Sequence, residues 1–304
     1  MKYLFGPVPS RRLGLSLGVD LIPPKTCSYD CLYCQIGKTT CKTVEPAAYV
    51  PVEAVIAELE ETLAKVKPDY VTFSGSGEPT LHSELGRLIA YVKEKTGARA
   101  AVLTNGSLLY RPEVRERLRR ADMVMPTLSS VKENTFRAIH QPHEKLNGTL
   151  LVEGLRSLRK SYKGQLFIEV MLLEGFNDQE EEIEALARTI LEIAPDRVQL
   201  NTVVRPPADA KAIPLDRKKL EVIKNVFGES AEIIAAAPIR EQRLFQGTLR
   251  AALLEMARRR PVTAEDVAGA LNASLHDVEK TVTALVNQGD LRKQTHLGKD
   301  YYTT

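Results

Sequence analysis

From residue 15 to about 235, short β-branched runs alternate with amphipathic stretches of helical period, which restricts the chain to repeated βα units on a mainly parallel sheet. Six units are legible. Their strands are LSLGVDLI (15–22), DYVTFSG (69–75), RAAVLTN (99–105), DMVMPTL (122–128), QLFIEVMLL (165–173) and DRVQLNTVV (196–204). Most are apolar on both faces, as strands covered on both sides must be. Between them Val52, Val55, Ile56, Leu59, Leu63 and Val66 repeat at helical spacing after Pro51, and Leu81, Leu85, Leu88 and Val92 do so before Gly97. Residues 151–160, 180–193 and 213–227 supply later helices, and AEIIAA (231–236) a last strand. Right-handed crossovers let such an α/β chain curl into a partial (β/α)6 TIM-like barrel or lie open as a doubly wound sheet. Periodicity leaves both open. Either one puts the ligand-binding loops just after the C-terminal ends of the strands.

The run AAAPIREQRLFQG (235–247) breaks the pattern, and no βα unit follows it. This predicts a barrel domain over 1–240 and a second domain over 245–304. The tail reads as helices over 248–260, 264–271 and 275–287 and a hairpin through Leu297-Gly298, the order of a small winged helix-turn-helix domain. Eight basic against seven acidic side chains there give little electrostatic pull on a phosphate backbone. Its third helix carries His276, Asp277 and Glu279 rather than base-reading cations or amides, and only Arg292, Lys293, His296 and Lys299 on the hairpin form a basic surface. Over all 304 residues the net charge is +3, which announces neither a nucleic-acid nor a membrane surface. With 43% hydrophobic and 27% charged residues the chain is globular and not disordered or fibrous. No run approaches the ~20 apolar residues of a membrane span, and the start MKYLFGPVPSRRLG lacks a secretory apolar segment, so a cytoplasmic protein without a membrane partner is expected.

All four cysteines, Cys27, Cys31, Cys34 and Cys41, fall in one short segment after the first long strand. In a reducing compartment that clustering points to a metal or redox site and not to a disulfide framework. Cys27, Cys31 and Cys34 follow a C-x3-C-x2-C spacing that brings three thiolates onto one loop at the mouth of the fold. Thiolates suit iron–sulfur clusters and zinc. Three protein ligands on a [4Fe–4S] cube leave one iron for a small molecule; four thiolates, with Cys41 as the last, could instead close a zinc tetrahedron.

This loop, with Tyr33 directly before its last cysteine, resembles the signature of the radical S-adenosylmethionine (SAM) superfamily. The likeness extends to Ser74-Gly75-Ser76-Gly77-Glu78-Pro79-Thr80, which is similar to that family's glycine-rich GGE-type motif. The resemblance implies a [4Fe–4S] cluster on Cys27, Cys31 and Cys34 with SAM bound at the open iron. Reduction by an external electron donor cleaves SAM to methionine and a 5′-deoxyadenosyl radical, which abstracts hydrogen from substrate. It implies that Gly75, Gly77 and Glu78 orient SAM, the glycines by letting backbone approach it and Glu78 by accepting from its ammonium group. It also places Asn105 and Ser129, at two further strand ends, against the cofactor's ribose or carboxylate, and Glu169, Met171, Asn201 and Arg205 on the adenosine or substrate side.

FGPVPSRRLG, Gly175-Phe-Asn-Asp and Arg205-Pro-Pro resemble iron–sulfur oxidoreductases related to the wyosine-synthase-like group. With the tail, that likeness implies a tRNA base or a protein as substrate. Wyosine synthases hold a second cluster on additional cysteines; beyond the first three this chain has only Cys41, which excludes such a cluster. Cys41 itself reads as a shielded loop thiol, a substrate-facing hydrogen donor or a small apolar filler. Arg11 and Arg12 read as a bidentate anion grip or a solvated pair. His82, His140 and His143 read as ordinary hydrogen-bonding residues. The alternative from another class is an iron–sulfur or zinc sensor that binds nucleic acid or protein through the winged helix.

Overall fold

A computed structural model describes residues 2–10, 12–234 and 248–304. Arg11, the run 235–247 with the end of AEIIAA, and the boundary expected near 245 lie outside the described residues. The chain opens with β1 (Leu4–Ser10), which turns back on β2 (Gly14–Val19) as an antiparallel pair. Sequence patterning misses β1 because LFGPVPS is rich in Gly and Pro. A strand at a sheet edge tolerates proline, since its missing N–H faces no neighbour.

Two short strands, β3 (Thr26–Cys27) and β4 (Cys41–Lys42), pair beside the mouth of the sheet and tie both ends of the cysteine segment together. Then follow α1 (Val52–Leu63), β5 (Tyr70–Phe73), a 3-10 turn at Pro79–Leu81, α2 (Leu85–Lys95) and β6 (Arg99–Thr104). The next elements are α3 (Pro112–Leu118), β7 (Met123–Pro126), α4 (Glu133–His140), α5 (Gly148–Ser161) and β8 (Gln165–Leu172). This part ends with α6 (Glu180–Ile193), β9 (Arg197–Thr202), α7 (Arg217–Phe227) and β10 (Ala231–Ile233). The main sheet runs β1-β2-β5-β6-β7-β8-β9-β10 and is parallel from β2 onward. It is therefore an α/β fold on a mostly parallel sheet. Residues from β1 across to β9 border one common cavity, so the sheet curves around its C-terminal mouth.

The helices cover the sheet's outer face. Val55, Leu59, Leu85, Leu88, Ile89 and Val92 are fully buried against Val71, Phe73 and Val102, so the apolar stripes of α1 and α2 do what their spacing predicts. The helix expected from Leu81 starts four residues later, because Pro79 to Leu81 form the 3-10 turn capped by Glu78. Helices α3 and α4 escape the pattern because they are short, α3 being mostly charged and burying only Val114 and Leu118, and α4 burying Phe136, Ile139 and His140 in just two turns.

The tail folds as α8 (Leu249–Arg259), α9 (Ala264–Leu271), α10 (Leu275–Asn287) and an antiparallel hairpin of β11 (Arg292–His296) and β12 (Lys299–Thr303). Thr248 and Thr263 cap α8 and α9 by accepting from Ala251 N and Asp266 N. Leu297 and Gly298 both take positive φ, as a two-residue hairpin turn of right-handed twist requires. Leu253, Val262, Val267, Val278, Val282 and Leu285 form a core of their own. Among the described residues no helix is long and apolar enough to cross a membrane.

Candidate functional site

The C-terminal ends of the strands open onto two adjoining cavities, an inner one of about 230 Å³ and an outer one of about 460 Å³. Arg12, Tyr33, Cys34, Gly75 and Glu169 border both, so the two spaces are contiguous. Cys27, Cys31 and Cys34 all border the inner cavity; Cys41 is exposed and borders neither.

The cysteine loop is held by backbone and by buried side chains. Cys34 N donates to Cys31 O (3.0 Å) and Gly37 N to Cys34 O (3.1 Å), a tight turn that Gly37 permits with φ +95°. Thr39 ties the loop's far side to Asp30 Oδ1 (2.6 Å) and Tyr29 O (2.7 Å). From α4, Ile139 O accepts from Leu32 N (2.9 Å), while the Tyr29 ring packs against Phe136 and His140, which also touch each other. Asn105, after β6, donates to Ser28 Oγ (2.8 Å) and reaches Cys27 Sγ (3.5 Å).

Burial first, and nearby negative groups second, raise the pKa of Cys27 to about 12 and that of Cys31 well above the usual thiol range; burial raises that of Cys34 too. Three part-buried thiols around one space become stable as thiolates only when a cationic centre accepts them. That donor set fits a thiolate-ligated cluster. Among the described residues no group of three or more His, Cys, Asp or Glu suits a single metal ion. With Cys41 turned to solvent, the four-thiolate zinc site finds no support.

The loop after β5 packs against this segment. A Cβ at Gly77 would lie 2.0 Å from Thr26 O, and one at Gly75 would fall 2.3 to 2.7 Å from the Asp20 carboxylate, with φ already at +146°. Both glycines are thus required by close approach to the protein itself. Asp20 holds the same loop by accepting from Ser76 N (3.0 Å) and Ser76 Oγ (2.5 Å). Glu78 is 2% exposed, and its carboxylate accepts from Thr80 N (3.0 Å), Thr80 Oγ1 (2.5 Å), Thr104 Oγ1 (2.5 Å) and Asn105 N (2.7 Å). Burial raises its pKa, against those hydrogen bonds. Glu78, the residue expected to accept from an ammonium group, locks the β5 and β6 loops together through four protein donors, three on Oε1 and one on Oε2. Asn105 borders the inner cavity, with its side chain committed to Ser28, Cys27 and Ser107 N.

Ser129 lies away from both cavities. It is completely buried, its Oγ accepts from Met171 N (3.2 Å) and its carbonyl from Asn177 Nδ2 (2.7 Å), and it borders neither cavity. The strand end turns inward there, and Thr127, two residues earlier, faces the inner cavity.

Between the two cavities Arg12 pairs with Glu169, whose other partners are Asn201 Nδ2 (3.0 Å) and Thr127 Oγ1 (3.3 Å). Burial pushes the pKa of Glu169 up, but Arg12 and the two donors outweigh it and hold it below the ordinary carboxylate value. Arg12 is therefore paired in the interior and is not a solvated surface residue. Met171, Asn201 and Arg205 border the outer cavity, as their strand-end positions predict.

His140 is the residue that sequence reasoning missed. Its Nδ1 lies 3.4 Å from Cys31 Sγ and from Tyr33 OH, and burial lowers its pKa to about 3, so the ring stays neutral. Nothing in a helix-end His at position 140 signals a cysteine more than a hundred residues earlier. His82 is structural, with Nε2 against Val50 O (3.2 Å) and Nδ1 accepting from Glu84 N (3.2 Å). His143 accepts from Lys145 N (3.2 Å) and borders neither cavity.

Residues 21–187 match the family described as the Radical SAM superfamily. The chain is 35% identical over 312 residues to UPF0026 protein MJ1312 of Methanocaldococcus jannaschii, with 99% of this chain and 96% of that protein covered. It is 38% identical over 297 residues to a protein named GTPase Obg in Brachyspira hyodysenteriae, with 96% of this chain covered but only 44% of that protein's length. The fold is shared with a radical SAM methyltransferase from Sphaerobacter thermophilus, at 17% identity and TM-score 0.57 over 74% of this chain and 67% of that one. It is shared as well with TYW1 bearing a lysine-pyruvate adduct, at 18% identity and TM-score 0.52 over 75% and 76% of the two chains.

Proposed function

The chain belongs to the radical SAM superfamily, whose members are enzymes that bind a [4Fe–4S] cluster and SAM, and we propose that Cys27, Cys31 and Cys34 hold the cluster. The observation that carries this reading is that three of the four cysteines border one cavity with the glycine-rich loop while Cys41 lies outside it. When bound, cluster and SAM, fed by an external electron donor, supply a 5′-deoxyadenosyl radical for hydrogen abstraction.

The chain's own residues do the positioning. The loop from Gly75 to Glu78 borders the inner cavity where it would meet SAM, and Glu78 fixes that loop against Asn105, which in turn holds Cys27. Arg12 and Glu169 stand at the passage between the inner cavity and the outer one, where the substrate approaches. Two domains, 1–240 as a partial (β/α)6 barrel and 245–304 as a winged helix, meet over the outer cavity. Their closure excludes water from a reactive intermediate. A tRNA base is the proposed substrate, supported by the wyosine-synthase-like sequence features and by the helices and hairpin of the tail.

Anaerobic reconstitution with iron and sulfide, followed by reductant and SAM, is expected to release 5′-deoxyadenosine. A full cluster without cleavage would contradict the reading. For the substrate, modified nucleosides from cells with and without the gene are compared, and an unchanged profile removes the tRNA proposal.

A further inference from the structure

The outer cavity is built by both halves of the chain. Val203, Val204 and Arg205 form one side, and Ala252, Met256 and Leu271 another, so α8 and α9 roof the space that β9 floors. The roof is held at its rim. Tyr301 OH donates to Val204 O (2.7 Å), Arg205 pairs with Asp266 (3.3 Å) and Arg259 pairs with Asp20 (3.2 Å).

Arg12, Arg205, Arg259 and Arg260 border this cavity, and the first three pair with Glu169, Asp266 and Asp20. Glu255, on α8, also borders it, with no ion pair among the described residues, and its Oε1 is enclosed without a hydrogen-bond partner. On the floor, Asn201 is 5% exposed; its Nδ2 serves Glu169 while its Oδ1 has no partner. Arg205 Nε is a third unanswered group, a donor whose side chain is 10% exposed. Buried polar atoms rarely stay unpaired, because each costs the free energy of a lost hydrogen bond. Three of them on the lining of one cavity point to a ligand that answers them.

We propose that the outer cavity binds the substrate through an amino group, which donates to Asn201 Oδ1 from the floor and to the Glu255 carboxylate from the roof. A hydrogen-bond acceptor on the same ligand faces Arg205 Nε, and its apolar body lies against Met256 and Leu271. The proposal rests on the radical SAM reading above and is independent of the tRNA proposal. An amino group can be an aliphatic ammonium or the exocyclic amine of a base, and two pairs of probes separate these sources.

The test titrates chain loaded with cluster and SAM, without reductant, with n-hexylamine against 1-hexanol and with guanosine against inosine, which lacks the amino group. In at least one pair the amino member is expected to bind about tenfold tighter, the worth of a charge-assisted hydrogen bond. In Glu255→Gln that preference falls to about twofold or less. Thermal unfolding of Glu255→Met is expected to stay level or rise, because an unpaired carboxylate oxygen is removed. No preference in either pair, a preference undiminished in Glu255→Gln, or a lowered unfolding temperature in Glu255→Met overturns the inference. If wild-type chain takes up no iron and sulfide, it is the underlying reading that falls.

Discussion

His140 shows how one side chain joins folding to the site. Its pKa is lowered by burial to about 3, while an unfolded histidine titrates near 6.5. Between those values the unfolded chain holds a proton that the folded chain does not. The contribution to stability is therefore present above about pH 6.5 and is lost as pH falls toward 3, on the order of a few kcal/mol over the window. Urea unfolding between pH 4 and 7.5 is expected to show stability rising with pH, and His140→Gln to flatten that rise. An equal slope in the two proteins would contradict the assignment. Glu169 adds a term of the same sign at lower pH, since its pKa is depressed and its contribution fades as pH falls below the ordinary carboxylate range.

Single elements carry the next level of the account, and the loop after β5 carries most of it. Its two glycines are pressed against Asp20 and Thr26, and its Glu78 is the common acceptor of the β5 and β6 ends. Gly77→Ala puts a methyl group against a carbonyl oxygen that cannot yield without moving β3. A loss of about 1–3 kcal/mol in urea unfolding is expected, together with reduced iron uptake on reconstitution. Unchanged stability and unchanged iron would show that the loop does not position the cysteine segment.

This loop also marks how far the sequence could be read. Long apolar strands such as Gln165–Leu172 and striped helices such as α1 are visible because each buries a regular set of side chains. Edge strand β1 is not, because its prolines hide an edge that needs few ladder bonds. The clustering of Cys27, Cys31 and Cys34 was legible from spacing, and the cavity they share follows from it. The inward turn of Ser129, the closed carboxylate of Glu78 and the approach of His140 to Cys31 depend on tertiary contacts, which no local pattern encodes.

At the scale of the whole molecule, two separate cores meet over the mouth of the sheet, and Arg259 is the bolt between them. Its guanidinium pairs with Asp20, donates to Leu4 O (2.9 Å) and lies 4.7 Å from the Phe5 ring centroid. Asp20 holds Ser76 in the glycine-rich loop, so the tail reaches that loop through one carboxylate. Arg259→Met leaves a nearly buried carboxylate without its cation. It is expected to lower stability by about 2–4 kcal/mol and to weaken SAM binding several-fold at unchanged iron content. Tyr301→Phe removes another contact of the tail without touching that loop, and its SAM affinity should stay at the wild-type value. Equal loss in both variants would make the tail a general clamp with no specific tie to the loop.

The central claim is that three thiols, and not four, bind the cluster. It is tested most directly by 5′-deoxyadenosine release from anaerobically reconstituted Cys41→Ser beside Cys31→Ser. The account predicts release at the wild-type rate from Cys41→Ser and none above background from Cys31→Ser. Loss of release in Cys41→Ser, or its survival in Cys31→Ser, would contradict it.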